Sequence, residues 1–182
     1  MAEITLRTVD KFAEPEFTGL VNQLLHDPDR QEVMQRLFGT PGTPPVASQA
    51  QQVRVGAFDR ERLVGWSHAF LAPGGSLYVG NSAVHPEYRR QGLYTRLVAA
   101  IEDEARALRC LRVESHHRTA NAAVLIAKLK AGYVVTGTEF STEMGLLVKL
   151  CKHLDAARDA VFHARAGVVE GSVRFFGRER PD

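Results

Sequence analysis

Cysteine, long apolar runs and tryptophan are scarce in this sequence, and the first two shortages each exclude a class of protein. Among 182 residues there are only two cysteines, Cys110 and Cys151, which is too few for a disulfide framework. No stretch approaches the roughly 18 consecutive apolar residues of a membrane-spanning helix. Charged residues interrupt every apolar run near residue 1, so we expect no signal peptide. These features predict a soluble cytoplasmic protein without a membrane partner.

An excess of charge of one sign is also missing. The chain has 23 Lys and Arg against 21 Asp and Glu, a formal net charge of +2 at pH 7. Such a balance does not indicate a broad basic face, so we predict no nucleic-acid partner. The length fits a single domain over residues 1–182, within which residues 153–182 are predicted to form a C-terminal helical extension and tail.

Residue spacings typical of a metal centre are absent as well. There is no C-x-x-C or H-x-x-x-H pattern. Glu114, His116 and His117 are close in sequence, but neighbouring strand residues point to opposite faces. Cys110 and Cys151 both lie in apolar segments, which is typical of core cysteines. We therefore predict no metal site.

Hydrophobic periodicity in the first half predicts a strand, two helices and three strands. Residues 4–6 alternate as a strand, residues 14–26 carry a helical apolar stripe, and a short helix follows Pro28. Three alternating segments with turns between them then predict a β meander. In the second of these strands, the side chains predicted to share one face are those of Val64, Trp66, His68 and Phe70. In the third, they are those of Leu77, Val79, Asn81 and Ala83.

The second half predicts a helix after Gly92, a strand at 110–115 and another helix. Thr119 is the predicted cap of that helix, Gly132 suits its C-terminal end, and its predicted apolar positions are Ala122, Leu125, Ile126 and Leu129. Residues 133–140 read as a strand. Residues 145–152 fit either a strand or a helix, and we favour a strand because the preceding strand otherwise lacks a partner. A helix over 155–165 completes a mixed α/β domain.

The segment Val84-His-Pro-Glu-Tyr-Arg-Arg-Gln-Gly-Leu-Tyr-Thr-Arg-Leu97 carries the strongest chemical signal. A strand ends, an arginine-rich loop follows, and Gly92 opens an amphipathic helix. Free N–H groups at a helix N-terminus bind anions, and glycine allows a close approach of the ligand. With Arg89, Arg90 and Arg96 nearby, this pattern predicts a pyrophosphate site. It matches neither the P-loop nor the Rossmann fingerprint.

The same segment resembles motif A of the GNAT superfamily of acetyl-CoA-dependent N-acyltransferases. The motif [RQ]-x-x-G-x-[GA] reads here Arg89-Arg90-Gln91-Gly92-Leu93-Tyr94. Downstream, Asn121 lies eleven residues before Gly132-Tyr133, similar to the strand-Asn-helix-Gly-aromatic segment of that family. The resemblance covers roughly residues 50 to 150. It implies a GNAT-like mixed central sheet of about seven strands flanked by helices, with an additional C-terminal helix here.

The resemblance also implies a set of acetyl-CoA contacts. Backbone groups of Ala83 and Val84 would bind the acetyl carbonyl and the pantetheine, and Asn121 would contact the pantetheine arm. The implied pyrophosphate-binding residues are Arg89, Arg90, Gln91, Gly92, Leu93, Tyr94 and Thr95. The implied reaction is direct attack of an amine on the thioester, without a covalent enzyme intermediate. A homodimer would also be compatible with the resemblance.

Two positions depart from the family pattern. Tyr94 occupies the second small position of the motif. Lys128 stands seven residues after Asn121, where much of the family has a tyrosine that protonates the leaving thiolate. A lysine could donate that proton, or it could be a solvated residue on the helix.

The chemistry requires a neutral amine, and a lysine-like amine with a pKa near 10.4 is mostly charged at pH 7. A general base must therefore remove a proton. Glu114 and His116 are two residues apart on a predicted strand and share a face. His116 is the first candidate for the general base and Glu114 is the second. The alternative for His116 is that it is a histidine that only contacts solvent. Asn81 is a candidate for orienting a water or the substrate, or for a purely local hydrogen bond.

The sequence thus predicts an enzyme that transfers an acetyl group from acetyl-CoA to a primary amine. The alternative is a catalytically inactive GNAT-like module that binds acyl-CoA or a protein partner. Release of free CoA with an amine distinguishes the two. The acceptor stays open between a small amine, a polyamine, an amino acid and a protein N-terminus.

Overall fold

The structure, a computed structural model, describes residues 3–25 and 50–166, together with Glu32 and Arg36 between them. The helix predicted after Pro28, the loop predicted over 39–45 and the tail after residue 166 lie outside the described residues. Everything said below refers to the described part of the chain.

The centre of the fold is a seven-stranded mixed sheet, as predicted. Its order is β1-β2-β3-β4-β5-β7-β6, and every neighbouring pair is antiparallel except β4 and β5, which run parallel. The strand reading of the segment after residue 144 is confirmed, because it forms β7 between β5 and β6. The strands are β1 Ile4–Thr8, β2 Gln52–Asp59, β3 Arg62–Ala72, β4 Ser76–Val84, β5 Arg112–Arg118, β6 Val134–Ser141 and β7 Gly145–His153.

Helices cover both faces of this sheet. The helix that begins after Gly92 buries its predicted apolar stripe, including Leu97 and Ile101, against the sheet. Its partners there include Val55, Leu77 and Val113. Spacings of three and four residues place that stripe on one side of a helix, which explains the confirmed prediction. The helices are α1 Glu16–Leu25, α2 Leu93–Ala107, α3 Ala122–Lys130 and α4 Ala156–Arg165, with a 3₁₀ turn at Pro86–Tyr88.

The opposite face is covered by α1 through a smaller apolar cluster. Trp66 is fully buried there, and the ring of Phe17 from α1 meets it edge-on with centroids 5.2 Å apart. Trp66 pairs with Gly56, whose neighbours Val55 and Ala57 face the α2 side. Because side chains alternate along a strand, Trp66 must face away from α2.

The predicted single-face set of β3 is wrong for Val64, whereas Trp66, His68 and Phe70 share a face as predicted. A register shift between Ala57 and Phe58 interrupts the β2–β3 pairing. Val64 packs in the core beneath α2, whereas Trp66 packs beneath α1. An extra residue in one strand of a pair reverses which face the following side chains point to. The hydrophobic pattern of the sequence does not predict where such a residue lies.

The predicted face of β4 is wrong for the same reason. The pairing of β3 with β4 passes from Asn81 to Val79 and skips Gly80. Val79 packs in the core beneath α2, whereas Ala83 belongs to the cluster beneath α1. Asn81 and Ala83 therefore do not share a face with Val79, and this reversal places the end of β4 at the site described below.

The third helix departs from its predicted orientation. Ile126 and Leu129 are 52% and 47% exposed, whereas Lys128 is 1% exposed. The predicted cap Thr119 is also wrong, because the helix begins after Asn121, which occupies the N-cap position. Gly132 follows the end of the helix with φ of 87°, the left-handed conformation expected of a glycine there.

Candidate functional site

A cleft opens where β4 and β5 separate. The two strands pair from Ser76 with Arg112 to Val79 with Ser115, and the pairing ends there. The next five residues of β4, Gly80–Val84, have no partner on β5, and of these Asn81–Val84 continue to pair with β3. Their backbone edge therefore faces an opening rather than a neighbouring strand, and two adjoining cavities lie along it.

The first cavity, here called the helix cavity, lies at the N-terminus of α2 and has a volume of about 520 Å³. Nine of the ten residues predicted to bind the cofactor line it, and Gln91 does not. The predicted residues in its lining are Ala83, Val84, Arg89, Arg90, Gly92, Leu93, Tyr94, Thr95 and Asn121.

The start of α2 has the geometry of an anion site. Gly92 is the N-cap residue, with φ of 75° and ψ of 1°, and no side-chain cap bond satisfies the first N–H groups of the helix. A Cβ atom added at Gly92 would meet nothing within 4 Å, so the space beside the backbone is open. Free N–H groups, the helix dipole and this open approach fit a pyrophosphate.

The arginines predicted around this point have different partners. The Arg89 Nε donates to the Val84 carbonyl at 2.9 Å, which ties the loop to the end of β4. Arg90 has φ of 61° and lines the helix cavity. Arg96 instead donates to the Ile4 carbonyl at 2.8 Å in β1 and does not line the cavity. Of these three arginines, Arg89 and Arg96 donate to backbone carbonyls within the described ranges, and Arg90 is the one that does not.

The second cavity, here called the His116 cavity, has a volume of about 370 Å³ and is lined by His116 of β5. Leu25 and Met144 contribute partly exposed apolar surface to its wall. The two cavities share five lining residues, so they form one continuous cleft. The shared residues are Leu25, Ser82, Tyr94, Asn121 and Val124.

Tyr94 stands at the boundary of the two cavities. It is half-buried and also packs against the core beneath α2. Burial raises the pKa of Tyr94 far above its usual value, so its hydroxyl stays protonated at any working pH. The Tyr94 side chain therefore contributes an uncharged wall to both cavities.

Asn81 is held in place by a residue that the sequence analysis did not select. The Trp66 Nε1–H donates to Asn81 Oδ1 at 2.7 Å. Asn81 also lines the His116 cavity, and because its oxygen accepts from Trp66, the group that its side chain could offer a ligand there is the Nδ2 donor. The useful signal was the single tryptophan on the strand before Asn81, because a buried indole N–H needs an acceptor.

The structure places His116 in the cavity and Glu114 outside it. Both side chains share one face of β5, as predicted, but only His116 is part of the lining. Burial, followed by the ammonium of Lys149, lowers the pKa of His116, against the opposing charges of Glu139 and Glu114. A lowered pKa keeps the imidazole neutral near pH 7, which is the form that accepts a proton.

Glu114 is committed to other partners. Its carboxylate forms an ion pair with the Arg112 Nε at 3.0 Å and accepts a hydrogen bond from the Ser76 hydroxyl. Burial raises the pKa of Glu114, but these hydrogen bonds and the Arg112 charge bring the net pKa below its usual value. A carboxylate held as an anion in this way is a weaker base than His116.

His117 also lines the His116 cavity, although the sequence analysis considered it only as a metal ligand. Its Nε2 lies 2.9 Å from the Ser115 hydroxyl. Burial, with the nearby charges of Lys128 and His116, lowers its pKa to about 4. Such an imidazole stays neutral but accepts a proton poorly, so His116 is the stronger candidate base.

Lys128 is buried rather than solvated. Its Nζ lies 3.9 Å from the centroid of the Tyr133 ring, and the residue lines neither cavity. Burial lowers its pKa to about 8, with Glu102 opposing this effect and Lys152 adding to it. The solvated alternative for this residue is therefore wrong.

In the ranges 3–25 and 50–166, no three potential metal ligands come together. Within those same ranges, no helix has the length and hydropathy that a membrane crossing needs.

The comparisons with known proteins identify the family. The sequence model of the acetyltransferase (GNAT) family matches residues 13–131, which is more than half of the chain. The chain therefore belongs to the GNAT family of acetyltransferases. No curated protein matches the chain in sequence.

Solved structures show the same fold at low sequence identity. The IAA acetyltransferase from Bacillus cereus is 11% identical with a TM-score of 0.63, over 84% of this chain and 100% of that one. A Bacillus subtilis acetyltransferase in complex with CoA is 12% identical, with a TM-score of 0.62 and the same coverage. The ribosomal-protein-S18-alanine N-acetyltransferase from Escherichia coli is 14% identical, with a TM-score of 0.58, over 84% of this chain and 95% of that one.

Proposed function

We propose that this protein transfers an acetyl group from acetyl-CoA to a primary amine by direct attack of the amine on the thioester. The observation that carries the proposal is the continuous cleft along the free edge of β4. The N-terminus of α2 at Gly92 borders one cavity of this cleft, and His116 lines the other. Membership of the acetyltransferase family supports the same reaction class.

The helix cavity suits the phosphate end of the co-substrate. Unpaired N–H groups at the start of α2 would bind the pyrophosphate, with Arg90 beside them. The free edge of Gly80–Val84 would bind the pantetheine, as one more strand binds to a sheet edge. Asn121 lines both cavities and is placed to contact the same arm.

The reaction requires removal of one proton and stabilisation of one oxyanion. We assign proton removal to the neutral imidazole of His116, which takes a proton from the attacking nitrogen. The C–N bond then forms, the C–S bond breaks, and the second proton that the nitrogen must lose passes to the departing sulfur, so that CoA leaves as the thiol. The Asn81 amide, positioned by Trp66, and backbone N–H groups of the free β4 edge would stabilise the negative charge on the oxygen.

Lys128 has no proton transfer in this proposal, because it lines neither cavity. Glu114 has none either, because Arg112 and Ser76 engage its carboxylate. The acceptor is proposed only as a primary amine. We also propose that the protein works in the cytoplasm, because Cys110 and Cys151 are free buried thiols, as expected in a reducing compartment.

Titration calorimetry with acetyl-CoA tests the cofactor site. The wild-type protein should bind acetyl-CoA, and Gly92→Glu should weaken binding at least ten-fold, because its carboxylate would face the pyrophosphate. Gly92→Ala is the matched control: it adds the same left-handed backbone strain but no charge. Equal affinities of the two variants would contradict the anion site.

Release of free thiol from acetyl-CoA with a panel of amines tests the catalytic part. Acceptor-dependent CoA release would support acetyl transfer. Tight binding of acetyl-CoA with no release for any amine would instead favour the alternative of an inactive acyl-CoA-binding module. The feature that favours this alternative is Tyr94, a bulky residue at a small position of the family motif that lines both cavities.

A further inference from the structure

We propose that Glu139, on the edge strand β6, is a positioning residue for His116, and that Lys149 limits its effect. The inference rests on the proposed function, in which His116 is the base. The three residues come from three neighbouring strands, and they form one cluster on the sheet face that carries the His116 ring.

Strand register brings the cluster together. His116 of β5 pairs directly with Lys149 of β7, so their side chains share a face. Lys149 in turn pairs with Gly137 of β6, which has no side chain above the strand. Glu139 lies two residues further along β6 and reaches across β7 at this point.

The distances define two ion pairs on one carboxylate oxygen. The Glu139 Oε2 lies 3.8 Å from His116 Nδ1 and 3.2 Å from Lys149 Nζ. A separation of 3.8 Å is too long for a direct hydrogen bond but suits an ion pair once the imidazole is protonated. Glu139 therefore stabilises the charged form that His116 adopts after it accepts the amine proton, and Lys149 competes for the same oxygen.

The orientation of the ring follows from the same contact. A carboxylate beside Nδ1 favours a proton on that nitrogen, which leaves Nε2 as the basic atom. The Tyr78 ring meets His116 edge-on with centroids 5.2 Å apart and restricts its rotation. The other groups with charge effects on the His116 side chain are Lys149 and Glu114, on β7 and β5.

The test measures the pKa of His116 directly, by NMR titration of its ring protons in the full-length protein, in parallel with the pH profile of thiol release. Glu139→Gln should lower the pKa by about 0.2 to 0.7 units, the size expected for partly exposed pairs. Lys149→Gln should raise it by a similar amount. Glu61→Gln is the control, because Glu61 is exposed and pairs with Arg7 far from the cleft.

The rate should follow the pKa. In Glu139→Gln we expect kcat to fall about two- to five-fold and the acidic limb of the profile to move to lower pH. Glu139→Asp should restore part of the rate, because it keeps the charge.

An unchanged His116 pKa in Glu139→Gln would overturn the proposal. A shifted pKa with an unchanged rate and pH profile would overturn the positioning role. The proposed base is tested separately by His116→Gln: full activity in that variant would refute His116 as the base, whatever the NMR titrations show.

Discussion

Replacing Lys128 by methionine should stabilise the protein at neutral pH. Lys128 is 1% exposed, and its pKa is lowered to about 8 from the ordinary value of 10.5. A difference of 2.5 units corresponds to about 3 kcal/mol of destabilisation whenever the folded protein holds the charged form. The contact with the Tyr133 ring offsets part of this, so we expect Lys128→Met to gain about 1 to 3 kcal/mol at pH 7.

The pH dependence provides the sharper signature. Between pH 8 and 10.5 the unfolded chain binds a proton at Lys128 that the folded protein has released, so the free energy of unfolding rises with pH in that window. For the wild-type protein this contribution amounts to about 2 kcal/mol between pH 7 and 9.5. Lys128→Met lacks the group and should lack that rise.

Urea unfolding at pH 7 and pH 9.5 measures both effects. Lys130→Met is the matched control, since Lys130 is exposed on the same helix and should change stability by less than about 0.5 kcal/mol. A Lys128→Met variant that is less stable at pH 7 and keeps the wild-type pH slope would refute the argument. Thiol release by the same variant should stay within about two-fold, and a hundred-fold loss would make Lys128 the proton donor after all.

Four other substitutions separate stability from function. Trp66→Phe leaves Asn81 Oδ1 without its donor, and we expect a loss of about 1 to 3 kcal/mol in urea unfolding together with a lower kcat. Asn121→Ala removes no side-chain cap bond, so it should weaken acetyl-CoA binding about ten-fold in calorimetry at nearly constant stability. Leu97→Ala should lower the free energy of unfolding by about 2 to 5 kcal/mol, because Leu97 is buried. Ile126→Ala should lower it by less than about 0.5 kcal/mol, because Ile126 is exposed. Equal losses in the two variants would contradict the orientation of α3.

Much of the fold followed from local patterns in the sequence. The stripe of α2 and the glycine after α3 are consequences of helix geometry within a few residues, and the structure confirms them. The pairing of β7 was also predictable, because an unpaired β6 would leave its backbone groups unsatisfied.

The errors have one physical origin, which is that tertiary context decides which side of an element is buried. Gly80 interrupts the alternation of β4, so Asn81 faces the side opposite to the predicted one. On α3, Lys128 is buried beside Tyr133, while Ile126 lies exposed. A register shift or a buried cation depends on partners that are distant in sequence. The local hydrophobic pattern therefore cannot predict either feature.

The candidate site was predicted unevenly for a similar reason. The loop around Gly92 is one contiguous segment, so its residues were found together. Trp66, Glu139 and Lys149 come from three different strands and meet their partners only through the register of the sheet. Their spacing along the chain has no period that a reading of the sequence could detect.

The point at which β4 and β5 part also sets a length. Between Val79, the last β4 residue that pairs with β5, and the loop that leads to α2 lie five residues without a partner on β5, or about 17 Å at ~3.3 Å per residue. The last residue of β5 in the ladder is Ser115, and His116 follows it directly. The end of the β4–β5 pairing therefore limits the length of the free edge: in the proposed binding mode, an extended ligand held by its phosphates at α2 would reach the end of this edge beside His116. Lengthening the paired region by one residue would move that end point by about 3 Å.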